Sequence, residues 1–123
     1  MKLFHAVTAD GAVFTRRSAL PTTGAAYHPR LATAPDGSLL VAWDEVVDGV
    51  RRIRLARGTL DRLGNATFRP VSLSVNVDGR YPAMTVTPGH AVLAWTSRST
   101  GAARIVVARV AFTKNREPRT TNP

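Results

Sequence analysis

One register runs through most of this chain. Gly37 and Gly89, Trp43 and Trp95, Gly49 and Gly101, Ile53 and Ile105, and Arg57 and Arg109 each stand 52 residues apart. Leu39-Leu40-Val41-Ala42-Trp43 matches Ala91-Val92-Leu93-Ala94-Trp95, and Arg52-Ile53-Arg54-Leu55-Ala56-Arg57 matches Arg104-Ile105-Val106-Val107-Ala108-Arg109. Upstream, Tyr27-His28-Pro29-Arg30 aligns with Arg80-Tyr81-Pro82-Ala83, and one deletion at Asp36 moves the prolines to a 53-residue spacing. A period of this length marks stacked copies of one supersecondary unit, each burying a face that it cannot bury alone.

Each copy reads as short strands punctuated by turn residues. Strand one spans 28–34 and Pro35-Asp36-Gly37 turns the chain into strand two, 38–46. Asp48-Gly49 leads into strand three, 51–60, and Gly64-Asn65 into strand four, 66–73. The second copy gives strands at 81–87, 90–97 and 104–112. Strand two is apolar on both faces, the pattern of a strand with a neighbour on each side. The start parallels the end of a copy: Asp10-Gly11-Ala12-Val13-Phe14 resembles Asp61, Gly64, Ala66 and Phe68, and Leu20 stands where Leu73 does. The expected units are therefore strands three and four of a preceding repeat at 1–20, a full repeat at 21–73, and a repeat lacking its fourth strand at 74–113. The polar run 114–123 reads as a tail. The N-terminal strand is the natural candidate for the missing place.

Composition narrows the classes. At 123 residues the chain is one domain's worth, and no apolar run approaches the roughly 20 residues of a membrane span. No export signal is read at the start, and the absence of cysteine excludes disulfides, thiolate metal sites and a cysteine nucleophile. The compartment is not fixed by these features. Seventeen basic against eight acidic residues give a net charge of +9, and fifteen of the basic residues are Arg. Such a charge favours polyanions in general, but the cations are spread along the chain, so no specific nucleic-acid site is expected.

Four-stranded units of this length with a Trp on the second strand have the pattern of β-propeller blades. In detail the chain resembles the sialidase family and its bacterial-neuraminidase-repeat relatives, whose mark is an Asp box between strands three and four. Thr8-Ala9-Asp10-Gly11-Ala12-Val13-Phe14 is such a box with one residue deleted, and Thr59-Leu60-Asp61 through Thr67-Phe68 is another with insertions. The resemblance implies an all-β fold of two antiparallel, four-stranded blades, cut out of phase. They would be part of, or assemble into, a larger six-bladed ring, either as a segment of a longer chain or as three copies. It also implies a secreted or cell-surface setting, and turn-locking roles for Asp10 and Asp61. Trp43 and Trp95 are expected in the core between blades rather than as sugar-stacking platforms.

Ligands of such propellers sit on the face made by the four-to-one and two-to-three loops, here 20–28, 74–81, 44–51 and 96–103. The candidate ligand-binding residues are Tyr27, His28, Arg30, Asp44, Arg80, Tyr81 and Arg98. Asp44 and Glu45 could do acid/base work as a pair, but after a Trp strand they are expected to face solvent. A sialidase would need three Arg to clamp a carboxylate, a Tyr nucleophile with a Glu, and an Asp acid/base. The family's Arg-Ile-Pro motif is missing, and Arg80-Tyr81-Pro82 only echoes it, so no catalytic residue is carried over. His5, His28 and His90 lack metal-ligand spacing, and no cofactor is expected. The favoured reading is a non-catalytic module that binds a glycan or protein partner, possibly anionic in chemistry, with a part of a sialidase-like glycoside hydrolase as the alternative. A basic scaffold subunit docking on an acidic partner is the third reading.

Overall fold

In the computed structural model, which describes residues 1–73, 77–98 and 101–112, the chain is all-β. Its strands are β1 (Phe4–His5), β2 (Ser18–Ala19), β3 (Ala25–Thr33), β4 (Leu39–Val47), β5 (Val50–Leu60), β6 (Ala66–Val71), β7 (Arg80–Val86), β8 (His90–Ser97) and β9 (Arg104–Ala111). They form a β1-β2 hairpin, a four-stranded antiparallel sheet β3-β4-β5-β6 and a three-stranded antiparallel sheet β7-β8-β9. Among the described residues no helix is long and apolar enough to cross a membrane.

Local chemistry sets the turns. Val47 pairs with Val50 across Asp48 and Gly49, whose φ angles are 52° and 78°. Two successive left-handed residues make the tight hairpin whose twist matches that of its strands, and Asp-Gly is its preferred sequence. Asp10 accepts hydrogen bonds from the Ala12 and Val13 amides at 2.8 and 2.9 Å. Asp61 accepts from the Leu63 and Asn65 amides at 2.8 and 2.9 Å. Both carboxylates therefore lock their own turns, and these amides hold both carboxyls below the usual aspartate range.

The two larger sheets pack face to face. Leu40, Ala42, Ile53 and Leu55 on the first meet Ala91, Leu93, Trp95 and Ala108 on the second in one buried cluster. The opposite face of the first sheet, with Val41, Trp43 and Ala56, is covered by Leu20 and Leu3 from the N-terminal segment. β4 is thus apolar on both sides because it has a neighbour on both sides. Trp43 and Trp95 are buried core, as expected.

Two expectations change. β2 does not fill a fourth place beside β9: it pairs with β1, Phe4 opposite Ala19, and the hairpin lies on the far side of the first sheet. The pairing is local because the Asp10 turn returns the chain directly onto its own start. The first strand of each larger sheet also starts earlier than the turn residues imply, since a bulge absorbs the proline. Register shifts between Tyr27 and Arg30, and again between Arg80 and Ala83. The expected polar tail, 114–123, lies outside the described residues, as do parts of the 74–81 and 96–103 loops.

Candidate functional site

The bulges are where the two sheets present side chains together. His28 and Tyr81 occupy equivalent positions, each immediately before a proline, with φ of 59° and 58°. A left-handed backbone costs an L-residue about 1–2 kcal/mol, and a following proline disfavours helical conformations further. The extra residue of each bulge re-aims a side chain. It brings the two rings to a centroid distance of 4.5 Å, and the Tyr27 ring lies 6.0 Å from that of His28.

Asp44 holds this arrangement together. It lies near the end of β4 and is fully buried. Its Oδ2 accepts from His28 Nδ1 at 2.8 Å and from the Tyr81 amide at 2.9 Å, while its Oδ1 pairs with the Arg51 guanidinium. Because a carboxylate only accepts, the His28 proton sits on Nδ1 and Nε2 is left for other partners. Arg51 in turn lies 5.2 Å from the centre of the Tyr27 ring, within cation–π range. Arg30 reaches from β3 to the Pro82 carbonyl at 3.3 Å, tying the first strands of the two sheets.

Beside this cluster is a cleft of about 250 Å³, open to solvent and lined by Arg51, Arg80, Arg98, Asp78, Gly79 and Thr96. Its floor is built by the segment that follows the first sheet. The Ile53 amide donates to the Val77 carbonyl at 2.7 Å, and the Gly79 amide to the Arg51 carbonyl at 3.2 Å. The expected residues therefore fall into two adjoining groups. Tyr27, His28, Asp44 and Tyr81 form the aromatic cluster, Arg80 and Arg98 line the cleft, and Arg51 belongs to both. Sequence reasoning did not single out Arg51, because at the start of a strand it looks like any other Arg of this Arg-rich chain. The signal lay in Asp44, an acid within an apolar strand that requires a cation nearby.

The expectation that Asp44 and Glu45 face solvent is overturned. Both are buried. Glu45 accepts from Thr23 Oγ1 at 2.6 Å and Trp43 Nε1 at 2.8 Å, with Arg54 Nε at 3.6 Å. Burial pushes its carboxyl up, but the Thr23 hydroxyl, the Trp43 indole, the Thr23 amide and Arg54 together hold it below its ordinary value. Ser97 stands at the matching place in the second sheet, and there the Trp95 indole donates instead to the Asp78 carbonyl at 3.0 Å. The sheet fold buries these acids, and satisfied hydrogen bonds make that burial tolerable. Among the described residues no group of three or more His, Cys, Asp or Glu side chains is placed to hold a metal ion.

No protein-family model matches the chain. No curated protein sequence matches it. Among solved structures it is similar to an endo-arabinase from Bacteroides thetaiotaomicron VPI-5482, with 17% sequence identity and a TM-score of 0.48. The match covers 90% of this chain, which spans 37% of the length of that enzyme.

Proposed function

We propose that the chain is a β-propeller module of sialidase-like type whose two larger sheets are blades, and that it binds an acidic glycan without cleaving it. The binding site is the Tyr27–His28–Tyr81 cluster together with the Arg51–Arg80–Arg98 cleft. The observation that carries this reading is the full burial of Asp44 with both of its oxygens engaged. Its oxygens already accept from His28, Arg51 and the Tyr81 amide beneath the surface. It therefore orients the rings and one guanidinium and has no free face to offer a reacting atom.

What reaches solvent is binding chemistry. Tyr81 and His28 expose much of their rings, and an aromatic face beside a polar tip suits the apolar face and hydroxyls of a sugar. Arg80 and Arg98 offer planar donors that match a carboxylate in bidentate fashion. Glu45, the neighbouring acid, is committed to Thr23, Trp43 and Arg54. Sialidase-type hydrolysis needs a Glu beside the Tyr nucleophile and an Asp as acid/base, and Glu45 and Asp44 are both buried and hydrogen-bonded elsewhere.

Calorimetric titration with uronate-containing oligosaccharides and their neutral counterparts tests the proposal. Acidic sugars should bind, neutral ones should bind at least tenfold more weakly, and Arg80→Ala with Arg98→Ala should abolish the difference. Turnover of a fluorogenic sialoside would overturn the non-catalytic reading. Binding to every polyanion alike, lost uniformly in salt, would favour the basic scaffold.

A further inference from the structure

The internal register turns the packing of the two larger sheets into a statement about their free faces. Leu40, Ala42, Ile53 and Leu55 of the first sheet are buried against the second. Their counterparts 52 residues on are Val92, Ala94, Ile105 and Val107. Ile53 and Leu55 are 1% and 2% exposed, whereas Ile105 and Val107 are 66% and 61% exposed. The second sheet therefore carries the same apolar docking face as the first, with no cover among the described residues.

The complementary face is also present and also half bare. On the second sheet, Pro82 of β7 is fully buried and Met84 packs against the cluster shared with the first sheet. The equivalent residues on the first sheet are Pro29 and Leu31, on the face whose outer half the N-terminal hairpin covers through Leu3 and Leu20. The N-terminal segment meets β3 at its start, where the Ala26 amide donates to the Met1 carbonyl at 2.9 Å, but further along the strand Leu31 is 68% exposed and Pro29 is exposed. Phe4, on the hairpin itself, is exposed as well.

We infer that these two bare faces bind each other between molecules: the Ile105–Val107 face of one copy docks on the Pro29–Leu31 face, beside the hairpin, of the next. The occupant is a second copy because this interface is already made once within the chain by homologous residues. Each copy carries the whole Ile105–Val107 half and, on the other half, the β3 part, while Val41, Trp43 and Ala56 are already covered by Leu3 and Leu20. Contiguous apolar surface of this kind marks an interaction site. The contact is heterologous, so repetition gives a ring where the rotation closes and a filament where it does not. The net charge of +9 opposes association, so assembly strengthens as salt screens it. This inference is independent of the ligand.

Sedimentation equilibrium over a wide concentration range, at moderate salt, tests it. The wild type should exceed the 13.2 kDa of one chain in a concentration-dependent manner. Leu31→Asp alone and Ile105→Asp/Val107→Asp alone should each block extended assembly. Mixing the two variants should restore a 1:1 dimer, because each retains the face that the other lacks. These side chains are exposed in the single chain, and circular dichroism checks that the variants stay folded. Hydrogen exchange on the wild type, with protection of β3 and β9 rising with concentration, tests the same contact without substitution. A monomer at all concentrations overturns the proposal and leaves the face to some other occupant. Association that survives Leu31→Asp overturns the head-to-tail geometry.

Discussion

His28 and Tyr81 are the same residue of the repeat twice over, each left-handed before a proline, and the molecule places their rings 4.5 Å apart. Backbone strain that recurs at one spot in both sheets is held there by its surroundings. Here the surroundings are one carboxylate, since Asp44 binds the His28 ring and the Tyr81 amide with the same oxygen.

That geometry orders the substitutions at Tyr81. Tyr81→Gly keeps the amide that donates to Asp44 and removes the left-handed penalty, while adding freedom to the unfolded chain. Its stability should stay within about 1 kcal/mol of wild type. Tyr81→Val, β-branched at a positive φ, should lose about 1–2 kcal/mol more than Tyr81→Gly. Urea unfolding measures both. Tyr81→Val as stable as Tyr81→Gly would mean that the bulge relaxes at little cost. On the reading proposed above, both variants lose sugar binding with the ring.

At Asp44 the direction is reversed. Asp44→Asn leaves the Arg51 guanidinium and the His28 Nδ1–H without their anion. Breaking a fully buried pair costs about 3–5 kcal/mol. Arg51 reaches water in part, so the expected loss is about 2–3 kcal/mol. Chemical denaturation of Asp44→Asn and of Arg51→Met, singly and together, gives the coupling between them. A double variant no less stable than either single one confirms that the two act as a unit.

How much of this was legible in the sequence follows from which interactions are local. The Asp48-Gly49 hairpin, the turn locks at Asp10 and Asp61, and the buried Trp43 and Trp95 were readable, because each follows from a few neighbouring residues or from the 52-residue register. The burial of Asp44 was not. Its partners come from β3, β5 and the start of β7, and only the packed sheets bring them together. The bulges were hidden for a related reason. His-Pro and Tyr-Pro read as the start of an extended strand, and the left-handed kink appears only where Asp44 captures the His28 ring and the Tyr81 amide. The hairpin's place was misjudged because a register says which strands are equivalent, not which edge or face each will occupy.

Glu45 gives the chain an acid limb of stability. Its folded carboxyl sits below its ordinary value of 4.5. The group therefore contributes stability that is fully present above about that pH and is lost as pH falls through the lowered folded value. Glu45→Gln keeps the shape and can still accept from Thr23 and Trp43, but removes the titration. The variant should be less stable than wild type at neutral pH, and the gap should close on acidification below 4.5. Thermal melts from pH 7 to pH 3 on both proteins show whether it does, and a gap independent of pH would sink the assignment.

Gly79 links the core to the cleft. A Cβ there would collide with Trp95 Cδ1 and with the Thr96 carbonyl, neither the free end of a flexible side chain. Gly79→Ala therefore has to push the 77–79 segment away from β8, or turn the Trp95 indole out of its hydrogen bond to the Asp78 carbonyl. Overpacking of this kind costs about 1–3 kcal/mol, and the lost indole bond adds about 1 kcal/mol. Gly37→Ala is the control: its φ is 85°, but a Cβ there meets nothing within 4 Å, so only the backbone conformation is taxed. The two variants should separate in what they disturb. Gly79→Ala should change the near-ultraviolet circular dichroism and fluorescence of Trp95 and, on the reading proposed above, weaken sugar binding in the cleft it floors. Gly37→Ala should lower the unfolding midpoint with the tryptophan signals unchanged. Equal spectra for both would mean that the 77–79 segment yields freely and does not brace the cleft.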